Sequence, residues 1–307
     1  MNNFRGSHRR SAYFEGWYMK HQKEDISIAF IPAFHVSNRG ERAASIQVVT
    51  KEGTWNFPFK GKEFYAAKRH FYVKIGSNIF SDKGIRVALK NEAVEITGVL
   101  RYQPFTELYS DIMGPFRFLP FMQCSHGILS MIHGISGMLT INGKVYDFSG
   151  GTGYIEKDFG SSFPRDYTWT QCGDWTGKKD SSLVACAAHI PFGLFSFAGC
   201  ICAIWYGGIE YRLATYLGAR IIKNTENELI IKQGRYRLEV YRSLLDREKK
   251  KPGTSYIEGL LLYAPEYGSM SRRIKETITC TVRYRFMDSG KIIFDFVSHR
   301  ASYEYVS

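Results

Sequence analysis

Short runs of β-branched and aromatic residues follow one another along the whole chain, and in many of them apolar and polar positions alternate. This period of two is typical of β-strands with one buried face. Gly, Asn and Asp separate the runs, as tight turns require. The pattern predicts strands over residues 26–36, 44–50, 71–76, 94–102, 137–148, 167–175, 203–216, 228–242 and 277–299.

Three of these ranges also contain a turn sequence and predict β-hairpins. The turns Asn142-Gly143, Gly207-Gly208 and Asp288-Ser289-Gly290 offer Gly and Asn, which readily adopt the positive φ of tight turns. Helical patterns are few, and the stretch 116–135, rich in Met, Phe and Gly, predicts no definite element. Many sequential antiparallel strands favour closed β-barrels, which leave no sheet edge exposed.

The length of 307 residues allows two domains of about 150 residues each. A weak internal repeat supports this division, because AYFEGWY (12–18) aligns with GYIEKDF (153–159), Tyr on Tyr and Glu on Glu. We therefore predict two similar all-β domains, 1–150 and 151–307, each opened by a Tyr-x-Glu strand.

The net charge of +12 raises the question of nucleic-acid binding. Basic residues cluster only at 5–10, 246–251 and 271–275, and no helix-turn-helix, zinc-finger or RNP pattern accompanies them. We therefore expect no nucleic-acid partner. A basic surface also attracts anions without specifying them, so a weak peripheral contact with anionic membranes stays open.

The cysteines and the first residues bear on the compartment. The sequence begins MNNFRGSHRRSAYF, without the apolar stretch of a secretory signal. No C-x-x-C pattern occurs, and the cysteine spacing does not suggest a disulfide framework or a metal site. We expect a cytoplasmic protein with six free thiols, at positions 124, 172, 186, 200, 202 and 280.

The segment GTGYIEKDFGSSFP (151–164) concentrates two acids and a base in the middle of the chain. On a strand, alternation places Tyr154, Glu156 and Asp158 on one face and Lys157 on the other. Two carboxylates at i and i+2 lie roughly 7 Å apart, close enough to raise the pKa of one and make a general acid. The alternative is a surface turn with its charges in water. Lys157 fits a salt bridge that anchors the segment.

The segment YFEGWYMK (13–20) places Tyr13, Glu15, Trp17 and Met19 on one strand face. A carboxylate between aromatic residues is costly to bury unless it is paired, which indicates an inward polar role for Glu15. The alternative is that Glu15 pairs with a nearby arginine while Trp17 fills the floor of a barrel.

Other chemistry has weaker support. Trp169 and Gln171 share a strand face with Tyr167, which suits either the wall of an apolar ligand pocket or a packed core. The eight histidines show no metal-ligand spacing, so no metal is expected. No G-x-S-x-G, P-loop or Rossmann pattern appears, which argues against hydrolase, kinase and dehydrogenase functions.

Several of these segments together resemble a known family. GGTGYIEKDFGSSFP followed by YTWTQ is similar to the signature of the tocopherol cyclase family, and YFEGWYMK resembles its opening strand. The resemblance extends over nearly the whole chain through MGPFRFLPFMQCSHGILSM (113–131), GMLTINGKVYDFSGG (137–151), IEYRLATYLGARI (209–221) and SMSRRIKETI (269–278).

This resemblance implies two lipocalin-like (calycin) antiparallel β-barrel domains with few helices, in a group that also contains carotenoid hydratases. It also implies an isomerase activity that closes a chromanol ring by adding a quinol hydroxyl across the nearest double bond of a prenyl tail. No metal or organic cofactor is expected. The expected partner is a small hydrophobic ligand such as a prenyl quinol, and the sequence does not predict an oligomeric state.

The residues suit this chemistry. An alkene is a feeble base, so its protonation needs a neutral carboxylic acid in an apolar pocket. Glu156, with Asp158 beside it, is the first candidate for this acid and Glu15 is the second. Aromatic side chains would shield the carbocation or bind the ligand. These ligand-binding candidates are Tyr154, Trp17, Tyr13, Trp169 and Gln171.

Two other functions fit the same sequence. A non-catalytic protein could use the same barrels to bind or carry a small hydrophobic molecule, because one fold hosts both roles. A structural protein with filled barrels is the third alternative. A carboxylate inside a closed pocket would favour the enzyme over both.

Overall fold

The computed structural model of the protein describes residues 4–119, 122–177, 180–192, 195–243 and 260–307. Almost all regular structure in these ranges is β-strand, arranged in two antiparallel sheets, which confirms the predicted all-β class. Four short 3₁₀ turns, Gly6–His8, Gly61–Glu63, Gly114–Phe118 and Thr215–Leu217, complete the described elements. Within the described residues, no helix has the length and apolar character needed to cross a membrane.

The chain divides into two compact units. The first contains Met1–Asp111, Gln123–Phe163 and Tyr263–Arg273, and the second contains Ile112–Met122, Pro164–Leu262 and Ile274–Ser307. Each unit thus includes a segment from the other half of the chain. The domain limits 1–150 and 151–307 stay a prediction.

The first sheet has twelve strands in the described part of the chain, in the order β4-β3-β2-β1-β12-β10-β9-β8-β7-β6-β5, with β11 paired to β10. Their bounds are β1 (Tyr13–Lys23), β2 (Ile26–Val36), β3 (Arg42–Thr50), β4 (Thr54–Lys60), β5 (Phe64–Ala66), β6 (Tyr72–Ile75), β7 (Asn78–Ser81), β8 (Gly84–Lys90), β9 (Glu95–Tyr102), β10 (Cys124–Ile141), β11 (Lys144–Asp147) and β12 (Thr152–Gly160).

The second sheet has ten strands among the described residues, in the order β16-β15-β14-β13-β22-β21-β19-β18-β17, with β20 paired to β21. Their bounds are β13 (Tyr167–Gly173), β14 (Ser181–Phe192), β15 (Phe195–Tyr206), β16 (Ile209–Ala214), β17 (Arg220–Thr225), β18 (Glu228–Gln233), β19 (Tyr236–Arg242), β20 (Leu260–Glu266), β21 (Ser269–Asp288) and β22 (Lys291–Val306).

The three predicted hairpin turns are confirmed, since they join β10 to β11, β15 to β16 and β21 to β22. The predicted strand 228–242 is instead a hairpin, because Gly234 adopts a positive φ of 52° between β18 and β19. The undefined stretch 116–135 contains the end of a 3₁₀ turn and the first part of β10.

The Tyr-x-Glu repeat has a different meaning from the predicted one. The prediction that each domain opens with such a strand is wrong, because β1 and β12 both lie in the first unit and pair antiparallel. Their register places Trp17 opposite Lys157 and Tyr18 opposite Glu156. The similar sequences therefore belong to neighbouring strands of one sheet.

Alternation along β1 and β12 separates two buried faces. Trp17, Met19 and Ile155 belong to the apolar core of the first unit. Directly opposed side chains of paired strands share a face, so Lys157 lies on this core face beside Trp17. Glu156 therefore projects from the opposite face of the sheet.

A segment from the C-terminal half completes the first unit. The amide of Gln47 donates a hydrogen bond to the backbone oxygen of Tyr263 (2.8 Å) and accepts one from its backbone N–H (2.7 Å). The backbone N–H of Gly268 donates to the oxygen of Ser161 (2.7 Å). Residues 263–273 are thus fixed to the rest of the first unit by hydrogen bonds at β20 and at the turn that follows it.

Candidate functional site

A carboxylate–imidazole cluster lies on the face of β12 that points away from the core of the first unit. Glu156 and Asp158 share this face, as alternation predicted. His126 on β10 is the residue directly opposite Asp158. The side chains of Glu156, His126 and Asp158 are 6%, 12% and 17% exposed, so the cluster is buried at Glu156 and reaches solvent towards Asp158.

Four side chains form a line across the two strands. The Tyr154 hydroxyl donates a hydrogen bond of 2.6 Å to Oε2 of Glu156. That oxygen lies 3.7 Å from Nε2 of His126, which is ion-pair distance but longer than a hydrogen bond. Nδ1 of His126 lies 2.8 Å from Oδ1 of Asp158. The line therefore runs from a phenol through two carboxylates that flank one imidazole.

The charges of this line favour a protonated histidine. Burial lowers the pKa of His126, but the negative charges of Asp158 and Glu156, the hydrogen bond to Asp158 and the charge of Asp111 raise it, to about 9. His126 is therefore an imidazolium at neutral pH. Burial, and then the charge of Glu156, raise the pKa of Tyr154 well above its ordinary value, so the phenol stays a neutral donor.

His126 is the part of the cluster that sequence analysis missed. The sequence predicted that one of Glu156 and Asp158 raises the pKa of the other, whereas the structure places the imidazole of His126 between the two carboxylates. His126 appeared in the sequence only as one of eight histidines without metal spacing. The pairing of β10 with β12 brings it to Asp158, and no local pattern around residue 126 indicates that pairing. The catalytic role of the two acids stays a prediction.

Glu15 lies on the other face, inside the first unit. Its Oε1 is 2.5 Å from Nζ of Lys157, which confirms the expected salt bridge of Lys157. Its Oε2 accepts hydrogen bonds from the Tyr13 hydroxyl (2.6 Å) and from the backbone N–H of Arg5 (2.9 Å). Burial lowers the pKa of Lys157 and the charge of Glu15 opposes this shift. Glu15 is thus paired, with a lysine in place of the arginine considered from the sequence.

Tyr154 and Tyr13 make the same local contact on opposite faces. In each case the hydroxyl of a tyrosine donates 2.6 Å to the glutamate two positions later on the same strand. Trp17 is not near the carboxylate–imidazole cluster, because it stacks on Phe71 in the core with ring centroids 6.1 Å apart. The structure therefore groups Tyr154 with the cluster and Tyr13 and Trp17 with the interior.

Trp169 and Gln171 belong to the second unit. On β13 the core face carries Cys172 and Thr170, and the hydroxyl of Thr170 lies 2.6 Å from that of Tyr284. Trp169 and Gln171 alternate with these residues, so they are buried on the strand face that points away from the core of the second unit. Their proposed ligand contacts stay a prediction.

The donor atoms of His126, Glu156 and Asp158 all lie within 4.8 Å of one another, a spacing that a divalent cation would accept. A metal binds the neutral imidazole, so His126 would first have to lose a proton that its pKa of about 9 retains at neutral pH. A proton and a metal ion would therefore compete for His126. The sequence prediction of no metal and no cofactor stays a prediction.

Comparisons with solved structures show the fold. A protein of Nitrosomonas europaea described as an AttH protein superposes with a TM-score of 0.54 at 12% identity, over 95% of this chain and 93% of that one. Kievitone hydratase from Nectria haematococca superposes with a TM-score of 0.51 at 11% identity, over 95% and 88%. Both have lipocalin-like folds, which confirms the predicted fold class.

The family comparison gives the relationship. The sequence matches none of the curated proteins to which it was compared. The profile of the tocopherol cyclase-like family matches residues 93–305, which is more than half of the chain and includes β10, β12 and β13. The chain therefore belongs to the tocopherol cyclase-like family.

Proposed function

We propose that this protein catalyses the proton-initiated addition of an O–H group across a carbon–carbon double bond of an apolar substrate. The addition is an intramolecular cyclisation of a prenylated quinol or the hydration of a polyene lipid. Family membership supports the cyclisation, and the similar fold of a protein named as a hydratase makes hydration the second form of the same chemistry. The observation that carries the proposal is the line Tyr154–Glu156–His126–Asp158, which is buried at Glu156.

The first step needs an acid stronger than an imidazolium. His126 holds a proton between two carboxylates, and Glu156 Oε2 lies 3.7 Å from its Nε2. When these two atoms approach to hydrogen-bond distance, transfer of that proton converts Glu156 to a neutral carboxylic acid without changing the total charge of the cluster. A carboxylic acid in an apolar site protonates an alkene far more readily than a histidine whose pKa is about 9. The Tyr154 hydroxyl then stabilises the carboxylate that remains.

The second step uses the negative charge that the first one leaves. After proton transfer the alkene carbon is cationic, Glu156 and Asp158 are carboxylates and His126 is neutral. The cluster therefore attracts the carbocation. When the substrate O–H or a water attacks this carbon, His126 accepts the released proton and the imidazolium is restored. A C–H and a C–O bond form, a π bond and an O–H bond break, and no net proton is consumed.

Glutamine in place of Glu156 tests the proposal. Glu156→Gln keeps the shape and removes the transferable proton, so turnover of a prenyl quinol should fall by about 10²–10⁴-fold while binding persists. Turnover in D₂O should place one deuterium on the former alkene carbon that accepts the proton. The product is followed by mass spectrometry with the quinol protected from air.

The two Tyr-x-Glu pairs supply a matched control. Tyr154→Phe and Tyr13→Phe each remove one hydroxyl that donates 2.6 Å to a glutamate, on opposite faces of the sheet. Only Tyr154→Phe should lower kcat. An active Glu156→Gln enzyme, or equal kcat losses in the two phenylalanine variants, would contradict the proposal. If the wild-type chain binds the quinol but forms no product, and Glu156→Gln changes the binding free energy by no more than about 1–2 kcal/mol, the protein is a carrier.

A further inference from the structure

The outer face of β8, β9, β10 and β11 carries an exposed apolar patch. Val99, Met138 and Val145 are 42%, 57% and 58% exposed. Val99 and Met138 are direct partners across β9 and β10. On the next pair of strands, Met138 is opposite Asp147 and Thr140 is opposite Val145. Val145 therefore lies diagonally across from Met138. Side chains at such positions are within reach of one another. The three therefore form one patch.

Two arginines border this patch. Arg86 is the direct partner of Val99 on β8, and Arg101 lies two positions from Val99 on β9, on the same face. Within the described residues neither arginine forms an ion pair. The acids of this face are already neutralised, because Glu95 pairs with Lys90 and Asp147 pairs with Lys23, both at 2.9 Å. The apolar patch thus carries an uncompensated positive rim.

We propose that this face, defined by Val99, Met138, Val145, Arg86 and Arg101, docks on the surface of an anionic lipid bilayer. Apolar side chains that enter the headgroup region, together with basic residues that meet anionic lipids, are what surface binding requires. A second copy of the chain is disfavoured as the occupant, because it would bring the same two unpaired arginines against each other. The proposal rests on the proposed function in one respect, because the apolar substrate of that function would be dissolved in the bilayer.

Vesicle co-sedimentation tests the proposal on the full chain. The wild-type protein should sediment with phosphatidylcholine vesicles that contain phosphatidylglycerol and much less with phosphatidylcholine alone, and added salt should release it. Arg86→Gln with Arg101→Gln should weaken binding about fivefold for each arginine. The matched control is Arg220→Gln with Lys232→Gln, a basic pair on β17 and β18 of the second unit, which should bind like wild type.

The apolar patch is tested by the triple variant Val99→Thr, Met138→Gln, Val145→Thr. Its control is Ile222→Thr, Ile292→Gln, Val297→Thr, which alters comparably exposed residues of the second unit. Only the first triple variant should lose vesicle binding. Equal binding by both triple variants, binding that is independent of phosphatidylglycerol, or a dimer in light scattering that the first triple variant abolishes would each overturn the proposal.

Activity on detergent-dispersed prenyl quinol separates this proposal from the proposed function. The first triple variant should retain wild-type turnover in detergent, because none of its positions belongs to the carboxylate–imidazole cluster. A chain that binds vesicles through this face but turns over no quinol would refute the proposed function alone. A chain that is active in detergent but does not bind the vesicles would refute the docking surface alone.

Discussion

Titration of His126 should make the stability of the protein depend on pH between about 6.5 and 9. In the folded protein its pKa is about 9, and in an unfolded chain it is about 6.5. The difference of roughly 2.5 pH units, at about 1.36 kcal/mol per unit, corresponds to about 3 kcal/mol. Because the folded pKa is the higher one, this stabilisation is fully present below about pH 6.5 and is lost as pH rises through about 9.

The perturbation is His126→Gln, and the assay is urea unfolding followed by tryptophan fluorescence at pH 6 and pH 9.5. The free energy of unfolding of wild type minus that of the variant should fall by about 3 kcal/mol between these two values. Taking the difference cancels the titration of cysteines and lysines, which both proteins share. A difference that does not change with pH, or an imidazole NMR titration of His126 with a midpoint below 7, would refute the charge arrangement described for Glu156 and Asp158.

Three further predictions concern the fold. Burial lowers the pKa of His21 to about 3, and burial and the charge of His21 lower the pKa of His133. Below about pH 6.5 these two histidines take up protons only in the unfolded chain, so the free energy of unfolding of the wild-type protein should decrease as pH falls. Constant stability from pH 6.5 to 4.5 would contradict this. In urea unfolding, Gly268→Ala should lower the free energy of unfolding more than Gly208→Ala, although both glycines have a φ of +79°. The reason is that a Cβ at Gly268 would lie 2.0 Å from the backbone oxygen of Val36, whereas a Cβ at Gly208 would meet open space. Equal decreases would contradict this reasoning. Thiol titration of the denatured, non-reduced protein should find six free thiols, in agreement with the six free cysteines of the structure, and two or fewer would contradict it.

Much of the fold was predictable from residues that act locally. The strand Ile26–Val36 matches its predicted range at both ends, and the turn at Asn142-Gly143 occurs where its sequence requires positive φ. The hairpin at Gly234 was missed because its turn is short and polar, and the strand-like pattern of apolar and polar residues continues on both sides of it. The start of β10 was missed because apolar residues occupy both of its faces, which removes the period of two.

The candidate site was only half predictable, for a physical reason. Alternation along one strand places Glu156 and Asp158 on the same face, so their proximity can be predicted from the sequence. The contact of His126 with Asp158 depends on which strands pair and in what register. Irregularities in the pairing of β10 with β12, between Ile128 and Ser130 and again between Ser130 and His133, break the simple count along the strand. The charge of the cluster follows from that contact.

The attachment of residues 263–273 to the first unit has a consequence for how the chain is made. Synthesis proceeds from the N-terminus, so the ribosome releases Gln47 long before Tyr263, which lies 216 positions later. The first unit therefore cannot complete its hydrogen bonds until nearly the whole chain has emerged, including most of the second unit. At about 5–20 residues per second, this leaves the nascent first unit incomplete for roughly 10–40 seconds. During that interval the amide of Gln47, and in the second half of it the backbone oxygen of Ser161, lack the hydrogen-bond partners that Tyr263 and Gly268 supply in the folded protein.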